Sequence, residues 1–244
     1  LSAPFDCGRN WSFYEDYPEH YNDSIAKLYL GHNYSIASGL KYVILDDNIG
    51  YVRCESFENS IGDGNVSVML QSLASCNGLI IDVRGNGGGL LTAAQTFASH
   101  FTNEKILVGY VSHKTGKGRN DFSSPRKLYL EPASGGVRWQ KRVVVLTNRA
   151  VYSAANDFVK CMMYCPNVTI MGDRTGGGSG MPFNSELPNG WQVRYSAVVY
   201  YDRDMQHTEF GIAPDISLVM SGADIAQKKD TFIEKAREYL STSQ

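Results

Sequence analysis

Several features that mark specialised proteins are scarce in this chain of 244 residues. Charge of one sign is missing: 23 Lys and Arg face 25 Asp and Glu, a formal net charge of −2. Such a balance leaves no electrostatic footprint for nucleic acid or for an acidic membrane surface. Long apolar runs are missing as well. Stretches such as Val143–Leu146 and Gly78–Ile81 fall far short of the ~20 residues that a membrane helix needs. Cysteine is sparse: Cys7, Cys54, Cys76, Cys161 and Cys165 are odd in number and spread thinly, which makes no disulfide framework. Cys161 and Cys165 are four apart, yet no Cys or His cluster accompanies them, so they read as two small semi-buried thiols rather than a metal or redox pair. There is no repeat at solenoid period and no low-complexity tract. An initiating Met and a basic-then-apolar leader are also lacking, so the chain reads as a fragment or a processed product.

What is present describes a globular protein. Hydrophobic side chains make up 43% of the chain, and 15 Tyr, 10 Phe and 3 Trp are too many aromatics for a disordered segment. Asn-x-Ser/Thr triplets at Asn10, Asn22, Asn33, Asn65 and Asn167 would carry glycans only in a eukaryotic secreted protein. Residues 1–40 differ from the rest: Trp11, Phe13, Tyr14, Tyr17, Tyr21, Tyr29 and Tyr34 are interleaved with acids, amides and Pro18. Apart from a weak helical stripe over Asn22–Leu30, this reads as an irregular arm or the remnant of an N-terminal cap.

From Lys41 onward a single domain, 41–244, is expected. Tyr42–Leu45 and Ile49–Cys54, joined by Asp46-Asp47-Asn48, read as a hairpin. Val66, Met69, Leu70 and Leu73 have the spacing of an amphipathic helix. Gly78–Val83 and Arg142–Leu146 are continuous apolar runs, as in strands buried on both faces. Helices are expected over Leu90–His100, Ala154–Tyr164 and Asp224–Leu240, with further strands at Ile106–His113, Val168–Met171 and Trp191–Tyr201. Strands alternating with helices indicate an α/β fold with a mainly parallel sheet.

Chemistry in such folds gathers at the carboxyl ends of strands. One such end is Asp82-Val83-Arg84-Gly85-Asn86-Gly87-Gly88-Gly89. Leu90 stands where a dinucleotide fingerprint needs its third glycine, and no Gly-Lys-Ser/Thr follows, so nucleotide binding is disfavoured. A tight packing turn and an anion-stabilising loop both remain open. The other end runs from Val143 to Ala155. Ser153, at the start of a helix, is either an N-cap or a nucleophile at the positive end of the helix dipole. It is not a Gly-x-Ser-x-Gly elbow, because Val151 and Ala155 occupy the glycine positions. None of the five histidines (His20, His32, His100, His113, His207) stands out as a base.

Four segments, in order, carry a resemblance. Ile80–Leu90 resembles the Asp-Leu-Arg-x-Asn-x-Gly-Gly signature of the C-terminal processing (tail-specific) serine peptidases. Val144–Asn148 with Ser153-Ala154 resembles that family's strand and nucleophile segment. Gly172–Gly180 is similar to its Gly-x-x-Thr-x-Gly loop, and Gly211–Asp215 to its late Gly-Ile/Val-x-Pro-Asp motif. The resemblance implies a ClpP/crotonase-like spiral of ββα units. It implies Ser153 as the acyl-forming nucleophile, the N–H groups of Gly88 and Ala154 as an oxyanion hole, and Asn86, Gly87 and Gly177 as substrate-loop residues.

The Ser-Lys dyad of the bacterial enzymes is excluded, since Gly178 and Pro182 stand where its Lys and Gln belong. The chain resembles instead the tricorn-core branch, in which a His ahead of the core is the base and a late Glu orients it. Glu209 matches that Glu, and the His is expected upstream of Leu1. No PDZ-like stretch precedes the core. The resemblance implies a serine endopeptidase acting on polypeptides, extracytoplasmic in the bacterial periplasm or cell envelope. It implies no cofactor, no metal and no nucleic-acid partner, and it leaves homo-oligomerisation open. The alternatives are a non-catalytic module on the same fold that binds an apolar ligand or a peptide, and a scaffold.

Overall fold

The computed structural model describes residues 20–196 and 198–242. Cys7, Asn10 and the aromatics from Trp11 to Tyr17 lie outside the described residues. A seven-stranded sheet forms the centre. Its order is β1 (Ser35–Ala37), β2 (Leu40–Ile44), β3 (Ile49–Cys54), β4 (Gly78–Asp82), β7 (Val143–Thr147), β8 (Val168–Gly172) and β12 (Ile216–Ser217). The first two pairings are antiparallel, and the four from β3 to β12 are parallel.

Alternation along each central strand explains why these runs are apolar throughout. Leu79, Ile81, Val143 and Val145 face a core with Phe97 and Phe158, while Ile80, Val144 and Leu146 face Phe232, Ile233 and Ala236. A strand covered on both faces has no polar side to show. The first core is closed by helices α2 (Asp63–Ser72), α3 (Leu91–Ser99) and α4 (Ala154–Met162). The opposite face is closed by α6 (Thr231–Ser241), with Leu30 from α1 (Asp23–Leu30). The fold is mixed α/β with a mainly parallel central sheet, as expected.

Three expectations change. The segment read as an irregular arm supplies α1, capped by Asn22, and the edge strand β1, so Leu30 and Ala37 join the two cores. The single strand expected over Trp191–Tyr201 is two strands in different sheets. The first, β10 (Gln192–Ser196), forms a hairpin with β9 (Pro182–Glu186). The second, β11 (Val198–Tyr201), joins β5 (Ile106–His113) and β6 (Arg126–Leu130) in a three-stranded antiparallel sheet. The expected closing helix is likewise broken into α5 (Gly222–Ala226) and α6, because Asp230 caps α6 by accepting from the N–H groups of Phe232 and Ile233.

Candidate active site

β4 and β7 are parallel neighbours, with Asp82 opposite Leu146. Their carboxyl ends therefore open at the same edge of the sheet, and the two loops that follow are joined across it. Val83 N–H donates to Leu146 O at 3.2 Å, Gly85 N–H to Asn148 Oδ1 at 2.9 Å, and Tyr152 N–H to Asn86 O at 3.0 Å. A third loop, 172–180, is laid alongside: Gly176 N–H donates to Val151 O at 2.7 Å and Ser153 N–H to Gly177 O at 2.9 Å. Thr175, fully buried, ties in the fourth segment. Its hydroxyl donates to Asn156 Oδ1 at 2.6 Å and accepts from Ile212 N–H at 2.7 Å. All four segments singled out in the sequence thus meet around the N-terminus of α4.

Ser153 sits at that N-terminus with φ +57° and ψ −123°, a left-handed conformation that costs a non-glycine residue about 1–3 kcal/mol. Its side chain makes no capping hydrogen bond, so the N-cap reading is set aside. The surrounding loops hold a strained serine whose hydroxyl is not used to finish the helix. The Ala154 N–H, in the first turn, has no partner among the described residues. Ser153 opens onto a cleft of about 320 Å³ that Gly89, Ala154, Asp157, Arg194 and Tyr200 help to line.

The glycine loop differs in one detail from the expected oxyanion arrangement. Gly88 N–H donates to Asn86 Oδ1 at 2.9 Å, the turn that an Asn side chain makes with the backbone two residues on. It is therefore directed at Asn86 and not at the cleft. The neighbouring Gly89 N–H has no partner among the described residues, and Gly89 lines the cleft. Gly88 serves instead by being small. At φ +103°, a Cβ there would stand 2.8 Å from Ser153 Cβ and 2.9 Å from Ala154 N.

Asn86 is fully buried and braces the loop, donating from Nδ2 to Cys54 O at 3.1 Å. Gly87 is exposed, with open space where a Cβ would project. Gly177 is packed under residue 209: a Cβ on it would lie 1.9 Å from Glu209 O. Glu209 is exposed, on a loop whose carbonyl accepts Gly178 N–H at 3.0 Å, one residue from the Gly177 that holds Ser153 N–H.

The charged residues of the first motif point elsewhere. Arg84, with no exposed surface, forks onto Asp82 (Nη2 to Oδ2 2.7 Å, Nε to Oδ1 3.0 Å) and reaches Asp230 Oδ1 at 3.0 Å. This cluster fixes the end of β4 to the cap of α6. Burial pushes the Asp82 carboxyl up, but the Arg84 and Arg53 guanidiniums outweigh it and hold its pKa below the usual carboxylate value. The histidines are dispersed. His100 is buried between Val137 O (2.6 Å) and Asp63 Oδ1 (3.0 Å), His113 lies beside Arg126, and His207 packs on Tyr201. No histidine among the described residues hydrogen-bonds Ser153. Burial raises the Cys54 thiol to about 12, and Cys76, Cys161 and Cys165 are also free and buried.

Two residues of the site were not foreseen. Asp157 lies one helical turn beyond Ser153 and lines the same cleft, and it is paired with the buried Lys160. Burial works against charge on Lys160, yet the Asp157 carboxylate outweighs it and the ammonium's pKa is raised. The signal was there in the spacing, since residues four apart on a helix share a face.

Residues 48–218 match the model of peptidase family S41. This chain belongs to family S41. Among S41 relatives, it is 25% identical over 175 residues to the carboxy-terminal processing protease CtpA of Bacillus subtilis, covering 70% of this chain and 35% of that protein. It is 25% identical over 207 residues to the carboxyl-terminal-processing protease of Synechocystis, covering 80% and 46%. The chain thus spans between a third and a half of the length of these relatives. A crystal structure from Parabacteroides merdae superimposes with a TM-score of 0.92 at 50% identity, over 96% of this chain and 74% of that one. Mature CPAF shares the fold with a TM-score of 0.67 at 16% identity, over 82% and 53%.

Proposed function

We propose that this S41 chain is the acyl-transfer core of a serine endopeptidase. The observation that carries the reading is Ser153 itself. It is strained, partly exposed and uncapped, at a helix N-terminus on the wall of a cleft. Ser153 Oγ attacks the scissile carbonyl carbon and passes its proton to a base. The C–N bond then breaks as the base returns that proton to the leaving amine. Water repeats the sequence on the ester, releasing the acid and restoring the serine.

Charge that builds on the carbonyl oxygen is met by the Ala154 N–H and by the Gly89 N–H, the two unpartnered donors beside Ser153. Loss of one such donor typically costs about 10²–10³ in turnover. Glu209 is assigned to orienting the base, supported by its place one residue from the Ser153 support loop. The base is assigned to a histidine other than the five of this sequence. Cleavage near polypeptide C-termini and a location outside the cytoplasm belong to the same proposal, supported by the resemblance to processing proteases.

The test is intact-mass labelling with a fluorophosphonate, with and without added imidazole to stand in for the base. One adduct on the wild type and none on Ser153→Ala is expected, with imidazole accelerating it. No adduct under either condition, or an adduct that survives in Ser153→Ala, overturns the reading.

A further inference from the structure

The cleft beside Ser153 is unusual in its floor. Most of its wall suits an apolar stem: Leu91, Met181, Pro182 and the ring of Tyr200. Asp157 interrupts this wall. It is only 8% exposed, its Oδ1 accepts from Lys160, and its Oδ2 is buried with no hydrogen-bond partner among the described residues. A buried carboxylate oxygen without a donor is expensive, and native structures rarely leave one so. The missing donor can come from whatever fills the cleft. The torsion that turns a carboxylate is broad and two-fold, so a small turn of the group would bring this oxygen to a donor standing in the cleft that Asp157 lines.

The charges around this oxygen narrow the choice. Lys160 is 2% exposed and sits behind the carboxylate as its paired cation, with its Nζ 5.0 Å over the Tyr200 ring. Arg194 is exposed on the cleft lining. A cationic side chain entering here meets two positive charges against one negative. An anionic one is attracted by Arg194 but brings no donor to the carboxylate oxygen. An uncharged side chain with an N–H donor at its tip meets neither obstacle.

We infer that Asp157 is a specificity-determining residue, and that the cleft receives, on the acyl side of the scissile bond, a substrate residue with an apolar stem and an uncharged hydrogen-bond donor at its end, of the glutamine type. The inference rests on Ser153 being the nucleophile, because that is what makes this cleft the place where the substrate residue sits. A site built to hydrogen-bond an N–H discriminates strongly against an isostere that lacks it.

The experiment measures binding, not turnover, so that it does not depend on the base. Acetylated peptides identical except for a C-terminal Gln, Met, Glu or Lys mimic the acyl-side product. They are titrated calorimetrically into Ser153→Ala and into Ser153→Ala carrying Asp157→Leu with Lys160→Met. The double replacement removes both charges together and avoids leaving a buried lysine unpaired, and a thermal melt confirms that it is folded.

Gln is expected to bind roughly tenfold or more tighter than Met and Glu, as fits a hydrogen bond to a charged acceptor, and tighter than Lys. In the Asp157→Leu/Lys160→Met background, Met is expected to equal or overtake Gln. Equal or tighter binding of Met, Glu or Lys to the Ser153→Ala protein overturns the inference. So does a Gln preference that survives the double replacement, or a failure of all four peptides to bind. In that last case a fluorophosphonate adduct on Ser153 of the wild type leaves the peptidase reading standing, while its absence removes both.

Discussion

Replacing Gly88 with Ala puts the site's construction to the test. The new Cβ would stand 2.7 Å from Tyr152 O, 2.8 Å from Ser153 Cβ and 2.9 Å from Ala154 N. Non-bonded carbons rest about 3.5–4.0 Å apart, so the Ser153 segment or the glycine loop must retreat by roughly 1 Å. None of the three obstructing atoms is the end of a side chain that can swing aside. The backbone adds strain of its own, since φ is +103° and Ala there costs about 1–3 kcal/mol.

For a chain of this size the strain corresponds to a melting point lower by roughly 2–12 °C. A misplacement of about 1 Å at a nucleophile costs on the order of 10²-fold in rate. Gly88→Ala is therefore expected to stay folded with a modest loss of melting temperature, while its rate of fluorophosphonate labelling falls about 10²-fold. Gly87→Ala is the control: nothing lies within 4 Å of a Cβ there, so melt and labelling should match the wild type. Wild-type labelling by Gly88→Ala would refute the placement of the glycine loop against Ser153.

Two further outcomes concern the buried charge cluster. Arg84→Met strips the fork from Asp82 and the third bond from Asp230, all fully buried, which should cost about 3–5 kcal/mol. Chemical denaturation checks this, and Arg84→Lys should rescue little because an ammonium cannot fork. The pH dependence follows from Asp82, whose folded pKa is lowered. A carboxyl depressed on folding stabilises the protein above its unfolded value of about 3.9, and that contribution is lost as pH falls through the folded pKa. Melting temperature should accordingly be level from neutral pH to about 5 and fall below about 4. In Arg84→Met this acid-side fall should be shallower, because less depression remains to be lost. An identical profile in the two proteins would contradict the assignment.

Which parts of this molecule were legible in its sequence follows from the range of the interactions involved. Gly78–Val83 and Val143–Leu146 could be read as central strands because burial on both faces leaves no polar position in the run. Of the four segments that meet at α4, the two that end β4 and β7 were legible from local pattern, since glycine positions and turn chemistry are local properties, whereas Gly172–Gly180 and Gly211–Asp215 were singled out by the family resemblance. Strand β6, Arg126–Leu130, was not legible: two basic residues and a mostly exposed face give it no apolar pattern, and it is a strand because β5 lies beside it. The break before α6 was hidden for a similar reason. Asp230 makes a cap there, and Arg84, 146 residues earlier, holds that carboxylate in place.

At the site itself, nearest neighbours along the chain set a serine at the start of α4 and a glycine-rich turn after β4, each a local property. Packing between distant segments set that Gly88 N–H is taken by Asn86, that Gly89 N–H beside the cleft has no partner among the described residues, and that Asp157, on the cleft lining, keeps a buried oxygen without a donor. Asn86 is aimed by Cys54, 32 residues away, and the cleft is walled by segments from Gly89 to Tyr200. The direction of an N–H group and the partners of a carboxylate are set by what packs around them, and no local pattern of residues encodes that.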